Sequence, residues 1–458
     1  MSGLPFNEPD RTSELETGAT GPSVRQKVQV TNLYATPWHL ADGAGGRELP
    51  GFLRLGRLEH YYHLSADQLP RVLHRETLDA GTVTFRRWQP VDAATGAWAW
   101  LFQLPSGQLV AALTVDVRCG LGEVIDMLED CYYADVFVGG TPVEEHAHTA
   151  AVQLGAVAGP ESGFLSERHQ IVFGPAPAAE DSEDLVQRLV YRADLPYRKE
   201  YSAIRYPAEL NRRSGWLVAV GSYVSVVCGQ QNYMENAIFA SAVHGVGAAA
   251  QLRVIRQAAY ADVRQFRRIE GTPGTTRDRR RALERIADRL GDLELELSYS
   301  VEASADLGLL VPSLRAESFH NALYESIGLA AKAATTERML ERLGAAISAE
   351  LTAIESIERR ADDNRRMRYA VAVGFVSAVA IPASLILTFL GINANQVRPD
   401  RSMFSAHYLG MYIAVGALIV IGVALSIGLW MQHHRDTRRQ RATASRPRWA
   451  PAPEQPHS

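Results

Sequence analysis

Two uncharged apolar stretches close the chain, at 369–390 and 408–431, and they constrain its fold more than any other feature. At about 1.5 Å per residue, a helix of either length crosses the roughly 30 Å hydrocarbon core of a bilayer. Lipid offers no hydrogen-bond partner to backbone N–H and C=O groups, so both stretches are expected to be helical and to form a closing hairpin. Tyr369, Tyr408, Tyr412 and Trp430 lie near the span ends, where amphipathic rings favour the interface.

Orientation follows from the arginines. Arg359, Arg360, Arg365, Arg366 and Arg368 precede the first span, and Arg435, Arg438, Arg439 and Arg441 follow the second. Basic flanks stay inside, so the expected location is the cell membrane, with two spans and both termini cytoplasmic. The connecting residues 391–407 carry only Arg398, Asp400 and Arg401 as fixed charges and form an outer cap.

No apolar run of spanning length is read before Tyr369, so most of the 458 residues are expected to be cytosolic. Residues 1–26 are rich in Gly, Pro, Ser and Thr, lack a signal pattern and read as a disordered leader. Cys119, Cys131 and Cys228 have no metal-ligand or redox spacing and read as buried reduced thiols. The net charge of −4 is mild; the basic tail, 432–458, is expected to meet anionic lipid rather than nucleic acid.

Residues 27–230 mix β-rich runs at 81–88, 97–105, 108–117 and 216–228 with candidate helices at 122–134 and 183–192 and a loop at 155–163, which suits a cytosolic α/β domain. Residues 231–317 read as helical, broken at Glu270-Gly271-Thr272-Pro273-Gly274. From Ser318 no proline occurs until Pro382, so a stalk helix, 318–368, is expected to continue into the first span. Unbroken from Ser318 to Leu390, such a rod is on the order of 110 Å long. Leu340, Leu343, Ile347, Leu351, Ile354 and Ile357 recur along it at three- and four-residue steps, a stripe suited to self-association.

Within the first span the hydroxyl residues Ser377, Ser384 and Thr388 fall on one narrow arc with Ala370, Gly374 and Ile381. Small hydroxyl residues also serve close helix packing, so alone they leave packing and pore lining evenly matched. Repeated around an axis, they would line a conduit with weak oxygen ligands and no fixed charge.

Pro382, followed nine residues later by Gly391-Ile392-Asn393 at the outer end of the first of two closing helices, resembles the CorA family of divalent metal-ion (Mg2+/Co2+) transporters. The signature there is Gly-Met-Asn, preceded by proline at the same offset. The resemblance covers the stalk and hairpin from about Ser318 onward and is only architectural before that. It implies an α+β membrane protein: a funnel-shaped homopentamer of cytosolic α/β domains, with a long helical stalk continuous with the first of two C-terminal transmembrane helices.

By position, it implies a selectivity ring of Gly391, Ile392 and Asn393 above pore-lining Ser377, Ile381, Ser384 and Thr388. In that family cytosolic ions also bridge carboxylates between protomers; Glu350, Glu355, Asp362 and Asp363 are the candidates here, although a solvated charged face explains any one of them better. The implied function is Mg2+ uptake down the electrochemical gradient, with self and membrane lipid as partners.

Isoleucine stands where the family has methionine, as in the zinc-transporting branch of the superfamily, and Leu390 replaces the usual tyrosine. A Zn2+ transporter, or a non-conducting membrane-anchored sensory or interaction protein, therefore remains open. The run Glu144-Glu145-His146-Ala147-His148 reads as a polar surface loop rather than a metal tract. No phosphate-binding glycine loop, nucleophile elbow or H-E-x-x-H pattern occurs, so neither enzymatic activity nor a resident cofactor is expected.

Overall fold

The computed structural model describes residues 26–40, 60, 68–89, 94–157, 163–175, 182–193, 202–213, 215–229, 232–271, 275–302 and 313–392, together with 406, 409, 410, 412–414, 416, 417, 419–424, 427, 428 and 431. The chain divides into two compact units, Met1–Ile347 and Ser348–Ser458.

The first unit is mixed α/β. Strands β1 (Gln26–Leu40), β2 (Arg71–Leu78), β3 (Val83–Phe85), β4 (Gly96–Gln103) and β5 (Gln108–Cys119) lead to helix α1 (Val124–Tyr132). Strands β6 (Val136–Val138) and β7 (Thr141–Pro142), helix α2 (Val143–Gln153), strands β8 (Ala156–Val157) and β9 (Arg168–Gly174) and helix α3 (Ser182–Tyr191) follow. The hairpin β10 (Leu217–Val220) and β11 (Val224–Cys228) precedes helices α4 (Asn232–Gly271), α5 (Thr276–Leu297), α6 (Leu314–Ile327) and α7 (Leu329–Ile392), the last of which continues into the second unit.

The main sheet runs β10-β11-β9-β1-β5-β4-β2, with β8 paired to the end of β1; β3, β6 and β7 form a separate small sheet. Pairing in the main sheet is antiparallel except between β9 and β11. β1 is covered on both faces, so its polar side chains are buried and must find partners. They do: Thr31 Oγ1 lies 3.1 Å from Thr114 Oγ1, Gln170 Nε2 donates to Asn32 Oδ1 at 2.7 Å, and Tyr34 OH donates to the Cys131 carbonyl at 2.7 Å.

Two cores sandwich the sheet. On one face Val30, Tyr34, Leu113 and Val115 pack with Met127, Leu128, Ala147 and Leu189 of α1, α2 and α3. On the other, Leu33, Phe102, Val110 and Ile171 pack with Ile238, Val243 and Phe319 of α4 and α6. Helix α4 comes so close that a Cβ added at Gly247 would lie 2.1 Å from Leu104 Cδ1. Cys119, Cys131 and Cys228 are all buried and none forms a disulfide, and burial pushes the Cys228 thiol up to about 12.

Four expectations require correction. First, an apolar segment long enough to span does occur before Tyr369, within Asn236–Ile269 of α4. Most of that apolar segment is buried inside the protein, where Ile238, Phe239, Ala242 and Val243 pack against the sheet and α6, so it forms part of a core helix. Second, the rod does not begin at Ser318. Gly328 adopts φ 71°, and its N–H closes α6 on the carbonyls of Tyr324 and Glu325 at 3.0 and 3.1 Å. This left-handed glycine ends one helix, and α7 starts at Leu329.

Third, Glu144 to His148 lie on α2 rather than in a loop, because Val143, Ala147 and Ala151 give the segment an apolar face at helical spacing. Fourth, the stripe on α7 is used partly within the chain. Leu340, Leu343 and Ile347 are buried in the first unit, where Gly344 lies beside the Leu290 side chain of α5, whereas Ile357 in the second unit is exposed.

Candidate pore segment

One helix, α7, carries 64 residues through the charged stalk, the first apolar span and as far as Ile392. Its only interior proline is Pro382. Proline lacks the N–H that would bond the carbonyl of residue 378, so a backbone acceptor is released in mid-span.

At 100° per residue, Ser377, Ile381, Ser384 and Thr388 fall within about 60° of arc. Ile381, Ser384 and Thr388 are exposed, and Ser377 is intermediate. Ser384 Oγ donates to the Ile381 carbonyl at 2.9 Å, and Thr388 Oγ1 donates to the Ser384 carbonyl at 2.7 Å. Each hydroxyl hydrogen is therefore held by the helix itself, leaving the oxygen lone pairs to face outward. Such oxygens accept hydrogen bonds from the water shell of a cation and carry no charge that would trap it.

The surrounding surface is apolar. In the second unit, Tyr369, Val373, Val376, Ile381 and Leu385 of α7 are more than half exposed. So are Leu409, Ile413, Val420, Ile421 and Ile427 of the second span, whose described residues between 409 and 428 are helical. An exposed apolar surface this extensive is unstable in water and calls for lipid or further protein.

A straight helix would turn Asn393 about 160° from Ser377, so its place in the ring requires the chain to unwind or bend near Gly391; Gly391 and Ile392 instead remain the last helical residues of α7, which leaves any such turn beyond them. Asn393 lies outside the described residues, as do residues 1–25 of the leader, 393–405 of the cap and the tail 432–458. Of the candidate regulatory carboxylates, Glu355 and Asp362 share a face of α7, while Glu350 points about 140° from Glu355. Glu355 pairs with Arg359 at 3.2 Å. Asp362 and Asp363 are exposed.

The sequence did not link His74 and Glu76 to His146, which the fold brings together. Glu76 Oε2 lies 3.0 Å from His146 Nε2 and 3.8 Å from His74 Nε2, joining α2 to β2. Among the described residues no group of three His, Cys, Asp or Glu side chains is placed to hold a metal ion. Comparison with protein-family models, with curated proteins and with solved structures returned no match to this chain.

Proposed function

We propose that this chain is a CorA-like transporter of divalent metal cations, assembled as a homopentamer in the cell membrane and admitting Mg2+ down its electrochemical gradient. The observation that carries the reading is the coincidence, on the single helix α7, of a charged stalk, an exposed apolar span, a face of back-bonded hydroxyls and Pro382 nine residues before Gly391. In a symmetric assembly that face would line the axis. Asn393 would stand in a ring at its outer mouth, accepting hydrogen bonds from the water shell of an ion that dehydrates reluctantly. An inside-negative potential of 100 mV drives a divalent ion inward by about 4.6 kcal/mol, so no nucleotide need be consumed.

Isoleucine at 392, in place of methionine, favours Zn2+ as the second reading. Reconstitution of the full chain in liposomes, with internal dyes for Mg2+, Zn2+, Co2+ and Ni2+, separates the two. Mg2+ entry that follows the membrane potential and is lost in Asn393→Ala supports the first reading. Zn2+ entry enhanced by a proton gradient supports the second. An assembled oligomer that passes no ion overturns both and favours a membrane-anchored sensory protein.

A further inference from the structure

A concave cleft of about 500 Å³ opens in the first unit between α4, the chain just before β9, the β10–β11 turn and the α6–α7 joint. Its volume falls within the roughly 300–1,000 Å³ range of small-molecule sites. Four cationic side chains line it, Arg168, Arg253, Arg256 and Lys332, against the single carboxylate of Glu167. The whole chain is net negative, so this concentration of positive charge is local.

The carboxylate is already engaged: Glu167 Oε1 accepts from both Ser166 and Arg253. Arg256 has no ion-pair partner among the described residues. Lys332 Nζ donates to the Ile327 carbonyl at 2.7 Å, which leaves two of its three N–H groups. Cations gathered in one concavity repel each other, and a polyanion seated among them relieves that repulsion.

Aromatic surface accompanies the charge. Arg253, Arg256, Gln257 and Tyr260 occupy i, i+3, i+4 and i+7 on α4 and so share one face, above the buried Leu252, Ile255 and Ala259. Tyr260 and Tyr223 are each about half exposed where they line the cleft, at 52% and 49%. Tyr223 is held edge-on by the Tyr132 ring at 5.6 Å, and Arg192 covers Tyr132 at 3.7 Å. Exposed rigid rings beside arginines suit a planar heterocycle. We infer that this cleft binds a nucleoside di- or triphosphate, its phosphates on Arg253, Arg256 and Lys332 and its base against Tyr223 or Tyr260. The inference is independent of whether the chain conducts ions.

The test is titration calorimetry on the purified full chain in chelator-treated buffer, with ATP, ADP, inorganic tripolyphosphate and adenosine as separate ligands. Saturable binding of ATP and ADP is expected, with tripolyphosphate weaker and adenosine weaker still. Arg256→Glu, on an already polar helix face, is expected to lower ATP affinity by about tenfold or more, the scale of one lost charged hydrogen bond. Of Tyr260→Ala and Tyr223→Ala, the one that removes the ring under the base is expected to weaken ATP several-fold while leaving tripolyphosphate unchanged. Circular dichroism checks the fold of each variant, and Lys332→Gln, a charge removal one helix away, gives an independent second probe. No saturation at millimolar ATP overturns the inference, as does affinity unchanged in both Arg256→Glu and Lys332→Gln. Tripolyphosphate binding as tightly as ATP, with ATP affinity unchanged in both Tyr260→Ala and Tyr223→Ala, overturns the assignment to nucleotides.

Discussion

Thr388 donates its hydroxyl hydrogen to the carbonyl of Ser384, one turn back on α7, at 2.7 Å. The outward face of the threonine oxygen is thus purely an acceptor, which is what the proposed pore lining requires of it. Thr388→Val keeps the shape and removes the acceptor. In the liposome assay, divalent-ion entry should fall about fivefold or more, the value of one hydrogen bond near 1 kcal/mol. Entry at the original rate, from an intact oligomer, removes Thr388 from the conduction path.

Gly247 brings α4 against the sheet at Leu104. Gly247→Ala forces its new methyl into the Leu104 side chain and should destabilise the first unit by about 1–3 kcal/mol, the usual cost of overpacking. Adding Leu104→Ala makes room for that methyl, so the double variant should show less loss than the sum of the singles. Thermal unfolding of the three variants reads the coupling. Strict additivity would mean that helix and sheet separate freely here.

Burial lowers His169 to about 4, beside Ser225 Oγ at 2.8 Å. The unfolded chain takes up its proton near pH 6.5, well before the folded chain does. The stability due to neutral His169 is therefore complete above pH 6.5 and declines as pH falls from there to about 4, by about 1.4 kcal/mol per pH unit. His169→Gln cannot titrate, so its unfolding midpoint should fall less steeply between pH 6.5 and 5 than that of the parent. Parallel slopes would show that the ring is solvated.

Much of this architecture can be read from the chain because local pattern and environment agree. The apolar runs 97–102 in β4 and 109–113 in β5 are unbroken in the sequence, and Pro273-Gly274 separates α4 from α5 plainly. β1 escapes such a reading because Thr31, Asn32 and Thr36 interrupt its apolar residues, although all three are buried and hydrogen-bonded. A central strand buries both faces, so polarity no longer marks the outside.

Gly328 escapes for another reason. A lone glycine inside a helical pattern is usually tolerated, and only its φ of 71° distinguishes a joint from an ordinary helical residue. The cleft residues have no shared sequence signal. Arg168, Arg256 and Lys332 come from separate elements, and their phosphate-directed charge is supplied by side chains rather than by a glycine-rich loop. Asn393 and its neighbours are assigned from sequence alone.

The position of β1 at the centre of the sheet has a consequence for biosynthesis. Asn32 must wait for Gln170, 138 residues later, before its side-chain bond can form. At roughly 5–20 residues per second, that delay is on the order of ten seconds on the ribosome. Until β5 is made both edges of the strand are unpaired, and the edge that β9 will take stays open to the end of the delay. The nascent chain is therefore a natural client for holding factors that bind extended segments.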